Sequence, residues 1–125
     1  MRNEQLLVKA RPLLNLDHPQ TGPDEAFQNK TLRPILKMQH PLLLAAFEHY
    51  SEKRFQNFIG LPVEARGAWI TESLRNDARL RNILTGMVIG QFTTAEFQEF
   101  TENRSEKMRR LLNLLSQRLE SAYKK

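Results

Sequence analysis

The chain has 125 residues, no cysteine, and a net charge of +5 with a pI of about 9.9. That length suits one domain burying roughly two-thirds of its unfolded surface, and the lack of cysteine excludes disulfides, thiolate metal sites and cysteine nucleophiles. The longest apolar run, Leu42–Phe47, is six residues, against the ~20 that a bilayer-spanning helix needs.

Charges interrupt the leading stretch MRNEQLLVKARPLL, where a signal peptide keeps an unbroken apolar core, so a cytoplasmic location without membrane attachment is expected. Residues 1–23 read as an N-terminal arm. They hold Pro12, Pro19, Gly22 and Pro23, with Leu6, Leu7, Val8, Leu13 and Leu14 available to pack. Residues 24–125 read as a single helical domain.

Asp24 and Glu25 suit the positive end of a first helix, and Phe27, Thr31, Ile35 and Met38 recur at helical spacing through residue 39. Pro34 inside this stripe predicts a kink or break near Arg33. Pro41 suits the first position of a second helix, whose face runs Leu43, Phe47, Tyr50, Arg54 and Phe58 and stops at Gly60. Pro62 opens a third, with Val63, Gly67, Ile70 and Leu74. Asn76 or Asp77 caps a fourth, carrying Leu80, Ile83, Leu84, Met87 and Val88.

The run GMVIGQFTTAEF, residues 86–97, has the glycines of a phosphate loop but not its spacing or its lysine. It reads instead as a helix junction. Gly90 suits a left-handed residue after the fourth helix, and Gly86 a close helix approach. Thr93 with Glu96 forms a capping box, and Phe92 with Phe97 a hydrophobic staple. The fifth helix then runs from Thr94 to Tyr123, about 43 Å at ~1.5 Å per residue. The prediction is an all-α bundle of about five helices with this long C-terminal helix as its spine.

Candidate functional residues are sparse. His40 and His49 are half a turn out of phase and cannot chelate one metal, His18 lies in a loop, and the serines lack a nucleophile-elbow pattern. No catalytic, cofactor or metal residue is assigned. Arg54 and Arg104 sit on apolar stripes and could converge on an anion, or reach an acid such as Asp77. RSEKMRR at 104–110 adds Arg109 and Arg110 as phosphate or partner contacts, although the positive excess is spread along the chain rather than gathered in a stripe. Trp69 lies off the main stripe of its helix, as a second packed face or an exposed contact point.

The runs FQNKTLRPILKMQ and LRNILTGMVIGQFT, with the long terminal helix, resemble a family of small uncharacterised bacterial proteins, some of which carry a glyoxalase label. The resemblance covers about residues 24–123 and implies the all-helical fold. True vicinal-oxygen-chelate glyoxalases are βαβββ modules with strand-borne histidine and glutamate ligands. Neither feature has a counterpart in these residues, so no site residue transfers.

The expected function is a non-enzymatic interaction or scaffold module without a cofactor. Nucleic-acid or anion binding is the alternative, and an enzyme whose site is not visible from sequence the lesser one. Leu114, Leu115 and Leu119 extend the apolar face of the terminal helix beyond what one shorter helix covers. They are the expected contact of a homodimer. The competing expectation is that the arm lies over this face.

Overall fold

The structure is a computed structural model describing residues 2–12 and 22–124. Its elements are α1 (Glu4–Lys9), α2 (Pro23–Phe27), a π-helical turn (Gln28–Leu32), α3 (Arg33–Ser51), α4 (Arg54–Ile59), α5 (Val63–Asn76), α6 (Ala78–Ile89), α7 (Thr94–Thr101) and α8 (Arg104–Ala122). No strand occurs among the described residues, and the fold is a compact all-α bundle. No described helix is long and apolar enough to cross a membrane.

Leucines and phenylalanines at helical spacing make the core. Leu36, Leu43 and Phe47 of α3 meet Leu80, Leu84 and Val88 of α6, while Ile70 and Leu74 of α5 meet Leu111, Leu115 and Leu119 of α8. Aromatic clusters close two regions. Phe27, Phe92 and Phe100 have ring centroids 5.5–6.1 Å apart. Phe47, Phe58, Trp69 and Tyr123 form the other cluster, with Phe58 4.8 Å from Trp69 and 5.2 Å from Tyr123. Trp69 is therefore a second packed face of α5. Buried Arg66 ties three elements together by donating to the carbonyls of Tyr123 (2.6 Å) and Ile59 (2.8 Å).

The prolines punctuate less than expected. The helical path runs unbroken from Pro23 to Ser51. Before Pro34 the amide of Arg33 bonds five residues back, to Gln28. This register shift falls where the proline ring would otherwise meet the Lys30 carbonyl, so the widened turn absorbs the expected break. Pro41 lies inside α3 rather than starting a helix. It and Lys37 are both exposed, so the carbonyl it leaves without a donor is on the solvent side. Leu36 before it and Leu43 after it enter the same core, which holds the helix continuous.

Two breaks fall where no proline or glycine signals them. Glu52, at φ 55°, ends α3 and separates α4. Asn103, at φ 59° and ψ 51°, divides the expected long terminal helix into α7 and α8. Asparagine tolerates this left-handed conformation, and its side-chain amide donates to Asp24 Oδ2 at 2.7 Å. The Lys107 ammonium, 3% exposed, lies 2.9 Å from Asp24 Oδ1, donates to the Glu102 carbonyl and sits over the Phe27 ring. The spine is thus 19 residues, about 28 Å, and no overhang remains.

The junction keeps its capping box. Thr93 Oγ1 accepts from the Glu96 amide at 3.1 Å, and Glu96 Oε1 accepts from the Thr93 amide at 2.8 Å. The staple does not form. Phe92 turns into the core, whereas Phe97 is 47% exposed. Gly90 is right-handed at φ −61° and Gly86 faces open space. Close approach occurs at Gly67, where an added Cβ would lie 2.7 Å from the Glu120 side chain.

The described part of the arm, residues 2–12, docks on this junction. Arg2 donates to the carbonyls of Gly90 (3.0 Å) and Phe92 (2.6 Å), and Glu4 accepts from the amide and hydroxyl of Thr94. Buried Arg11 makes a two-bond fork to Glu96, at 2.7 and 2.9 Å, and donates to the Gln91 carbonyl at 2.6 Å. Leu6 is 61% exposed; Leu13 and Leu14 lie outside the described residues.

Candidate anion-binding site

Helical spacing places Arg33, Leu36 and His40 on one face of α3, and Leu114, Gln117, Arg118 and Ser121 on one face of α8. The two faces line a cleft of about 260 Å³. Leu36 and Leu114, both buried, supply its apolar floor. Arg118 Nη1 lies 3.3 Å from His40 Nδ1. A guanidinium can only donate, so Nδ1 accepts and His40 is neutral, with its proton on Nε2. Burial, and then the charge of Arg118, hold its pKa below the usual imidazole value.

Arg118 is itself half-buried, and burial followed by the like charge of Arg33 lowers its pKa. Arg33 donates through Nε to Asn29 Oδ1 at 2.9 Å. No carboxylate lines the cleft, and among the described residues neither Arg33 nor Arg118 forms an ion pair. Two guanidiniums beside a neutral imidazole, with the Arg33 charge acting on Arg118, make a site prepared for negative charge.

The arginines singled out from sequence are spent elsewhere. Arg54 pairs with Asp77 at 2.5 Å and lies 5.9 Å from the Trp69 ring, the acid partner anticipated for it. Arg104 does not sit on an apolar face. The break at Asn103 resets the helical phase, leaving it exposed at the start of α8 while Lys107 takes the buried position. Arg54 and Arg104 thus form no joint site. Arg109 makes a fork to Glu106, and Arg110 donates to Gln28 Oε1 at 3.0 Å with Glu106 at 3.7 Å.

Leu114, Leu115 and Leu119 are 8%, 0% and 1% exposed within this one chain. They belong to its own core and to the floor of the cleft. α5 and α3 cover the shortened α8 along these positions.

A second cleft, about 360 Å³, opens between α5, α6 and α8 near Leu74 and Leu112. Its arginines are satisfied. Arg75 pairs with Glu72, Arg109 with Glu106, and Arg81 donates to the carbonyls of Leu74 and Arg75.

Arg33, His40 and Arg118 were missed from sequence. A signal existed: neither arginine has an Asp or Glu three or four residues away, unlike Arg109 and Arg110 beside Glu106. His40 has no metal-binding companion at chelating spacing in the sequence, which leaves it without a signal of its own. His49, on the same helix, is exposed, and His18 lies outside the described residues. No group of three His, Asp or Glu among the described residues could hold a metal ion. Protein-family models, curated proteins and solved structures give no match to this chain.

Proposed function

We propose that the chain is a non-enzymatic helical binding module that holds an anionic group in the α3–α8 cleft. The observation carrying this reading is the convergence of Arg33, Arg118 and neutral His40 on a cavity lined by no carboxylate. Against an enzyme, His40 Nδ1 is engaged by Arg118 and its other nitrogen carries the proton, so the ring offers a donor to the cleft and not a base. The absence of cysteine fits a reducing cytoplasmic setting.

The nucleic-acid alternative is the weaker reading. Of the bases in RSEKMRR, Lys107, Arg109 and Arg110 are engaged by Asp24, Glu106 and Gln28, leaving Arg104 at the surface. The test is a heteronuclear NMR titration with inorganic phosphate and sulfate near neutral pH. Shifts should localise to residues around Arg33, His40 and Arg118 and disappear in Arg118→Gln. Shifts absent at millimolar anion, or scattered over α7 and the start of α8, would refute the proposal.

A further inference from the structure

We infer that the α3–α8 cleft recognises a phosphate monoester in its dianionic form, a reading that rests on the anion-binding function proposed above. Arg33 and Arg118 are two permanent cations, and no lining carboxylate offsets either of them. A ligand that neutralises the site therefore carries two negative charges. A carboxylate or sulfate ester leaves one guanidinium uncompensated, in a cleft where the two already repel.

His40 sharpens this requirement. Its Nδ1 is occupied by Arg118, so the ring is neutral and adds a donor without adding a third positive charge. Guanidinium forks match the paired oxygens of a phosphoryl group, with shorter and stronger bonds than neutral donors give. A phosphate monoester is mostly dianionic above its second pKa of about 6.

Size and lining fix the rest of the ligand. About 260 Å³ is smaller than the ~300–1,000 Å³ of clefts that enclose a drug-sized molecule. The cleft takes a phosphoryl group and the few atoms next to it. Leu36 and Leu114 meet those atoms with apolar surface, so an esterified phosphate satisfies the floor better than the inorganic ion. The phosphoryl group can come from a free small molecule or from a phosphorylated side chain.

The test uses calorimetric titration near neutral pH with phenyl phosphate, phenyl sulfate and malonate. Phenyl phosphate should bind at least tenfold more tightly than either competitor. Arg33→Gln and Arg118→Gln should each remove that preference, while Arg104→Gln, outside the cleft, should keep it. Arg118→Lys, which retains the charge but not the fork, should keep binding and lose most of the discrimination. It serves if the glutamine variant does not fold.

Equal affinity for phenyl sulfate would overturn the dianion assignment and leave the anion-binding function standing. Malonate matching phenyl phosphate would overturn the single-phosphoryl geometry in the same way. Failure of all three probes to bind would overturn both readings. Free phosphoserine and a phosphoserine peptide form the last pair. Tighter binding of the peptide assigns the group to a protein side chain, tighter binding of the free form assigns it to a small molecule, and either supports the inference.

Discussion

Glu96 is the point through which the arm, the α2–α3 path and the α7 cap meet. Its Oε1 accepts from the Thr93 amide and from Arg11 Nη2, and its Oε2 from Arg11 Nη1 and the Thr31 hydroxyl. Glu96→Ala deletes all four bonds. The half of the capping box that it removes is worth about 0.5–1 kcal/mol, since Thr93 still caps the Glu96 amide position. The greater loss comes through Arg11, whose side chain is 5% exposed and would keep the Gln91 carbonyl alone.

Removing one member of a buried ion pair costs about 3–5 kcal/mol. Glu96 is 18% exposed, and the arm can release Arg11 to water, so about 2–4 kcal/mol in total is expected. Arg11→Ala should cost about half as much, because the carboxylate it leaves keeps Thr93 and Thr31 and reaches solvent. At this chain length 1 kcal/mol corresponds to roughly 3–5 °C in Tm, so Glu96→Ala should melt about 6–20 °C lower. Urea unfolding followed by circular dichroism gives both costs, and the double variant gives their coupling.

The effect also carries a pH signature. Burial pushes the Glu96 carboxyl up, but the hydrogen bonds from Arg11 and Thr93, the Arg11 charge and the Thr31 hydroxyl together hold it below the usual carboxylate value. A lowered folded-state pKa stabilises fully above the unfolded value and is lost as pH falls through the folded one. The difference between wild type and Glu96→Ala should therefore shrink in acid. A Glu96→Ala cost below 1 kcal/mol, or one no larger than that of Arg11→Ala, would refute the reasoning.

Two further predictions follow from burial. Leu115→Ala, at a fully enclosed position, should cost about 2–5 kcal/mol and leave the mass measured by light scattering unchanged; a fall in mass without loss of stability would return the leucine to an intermolecular contact. Burial, and then the negative charge of Glu48, push the Tyr123 phenol from 10.0 up to about 12. Since the unfolded phenol ionises first, stability should hold up to the ordinary value and decline above it. An ultraviolet titration of Tyr50→Phe, which leaves Tyr123 as the only tyrosine, should show a midpoint near 12, and a midpoint at the ordinary value would disprove the enclosure.

The helical class and most of the core were legible because periodicity reports burial directly. Phe27, Ile35, Leu43, Phe47, Ile70, Leu84 and Leu111 all lie inside as their spacing requires. The Thr93–Glu96 box was legible because both halves are local. What escaped notice depends on partners distant in sequence. Asn103 breaks the terminal helix where Asp24, 79 residues away, meets its side chain and Lys107, and nothing local encodes the arrival of Asp24. Pro34 fails to break its helix because a register shift intervenes, and Pro41 because both halves of α3 pack into one core. The anion cleft is a juxtaposition of α3 with α8. Its sequence trace is arginines without local acids, a pattern that Arg104 shares while facing water.

The docking of α1 also sets the order in which the molecule can be completed. Arg2, Glu4 and Arg11 bind groups between Gly90 and Glu96, separations of 80 to 90 residues. On a ribosome α1 emerges 80 to 90 residues before the groups it binds, on the order of 5–20 s of synthesis. Its attachment closes a loop of 80 to 90 residues, at an entropic cost that grows only slowly with that length. The one ion pair in this fastening among the described residues, Arg11–Glu96, is largely buried, so salt should screen it far less than an exposed pair.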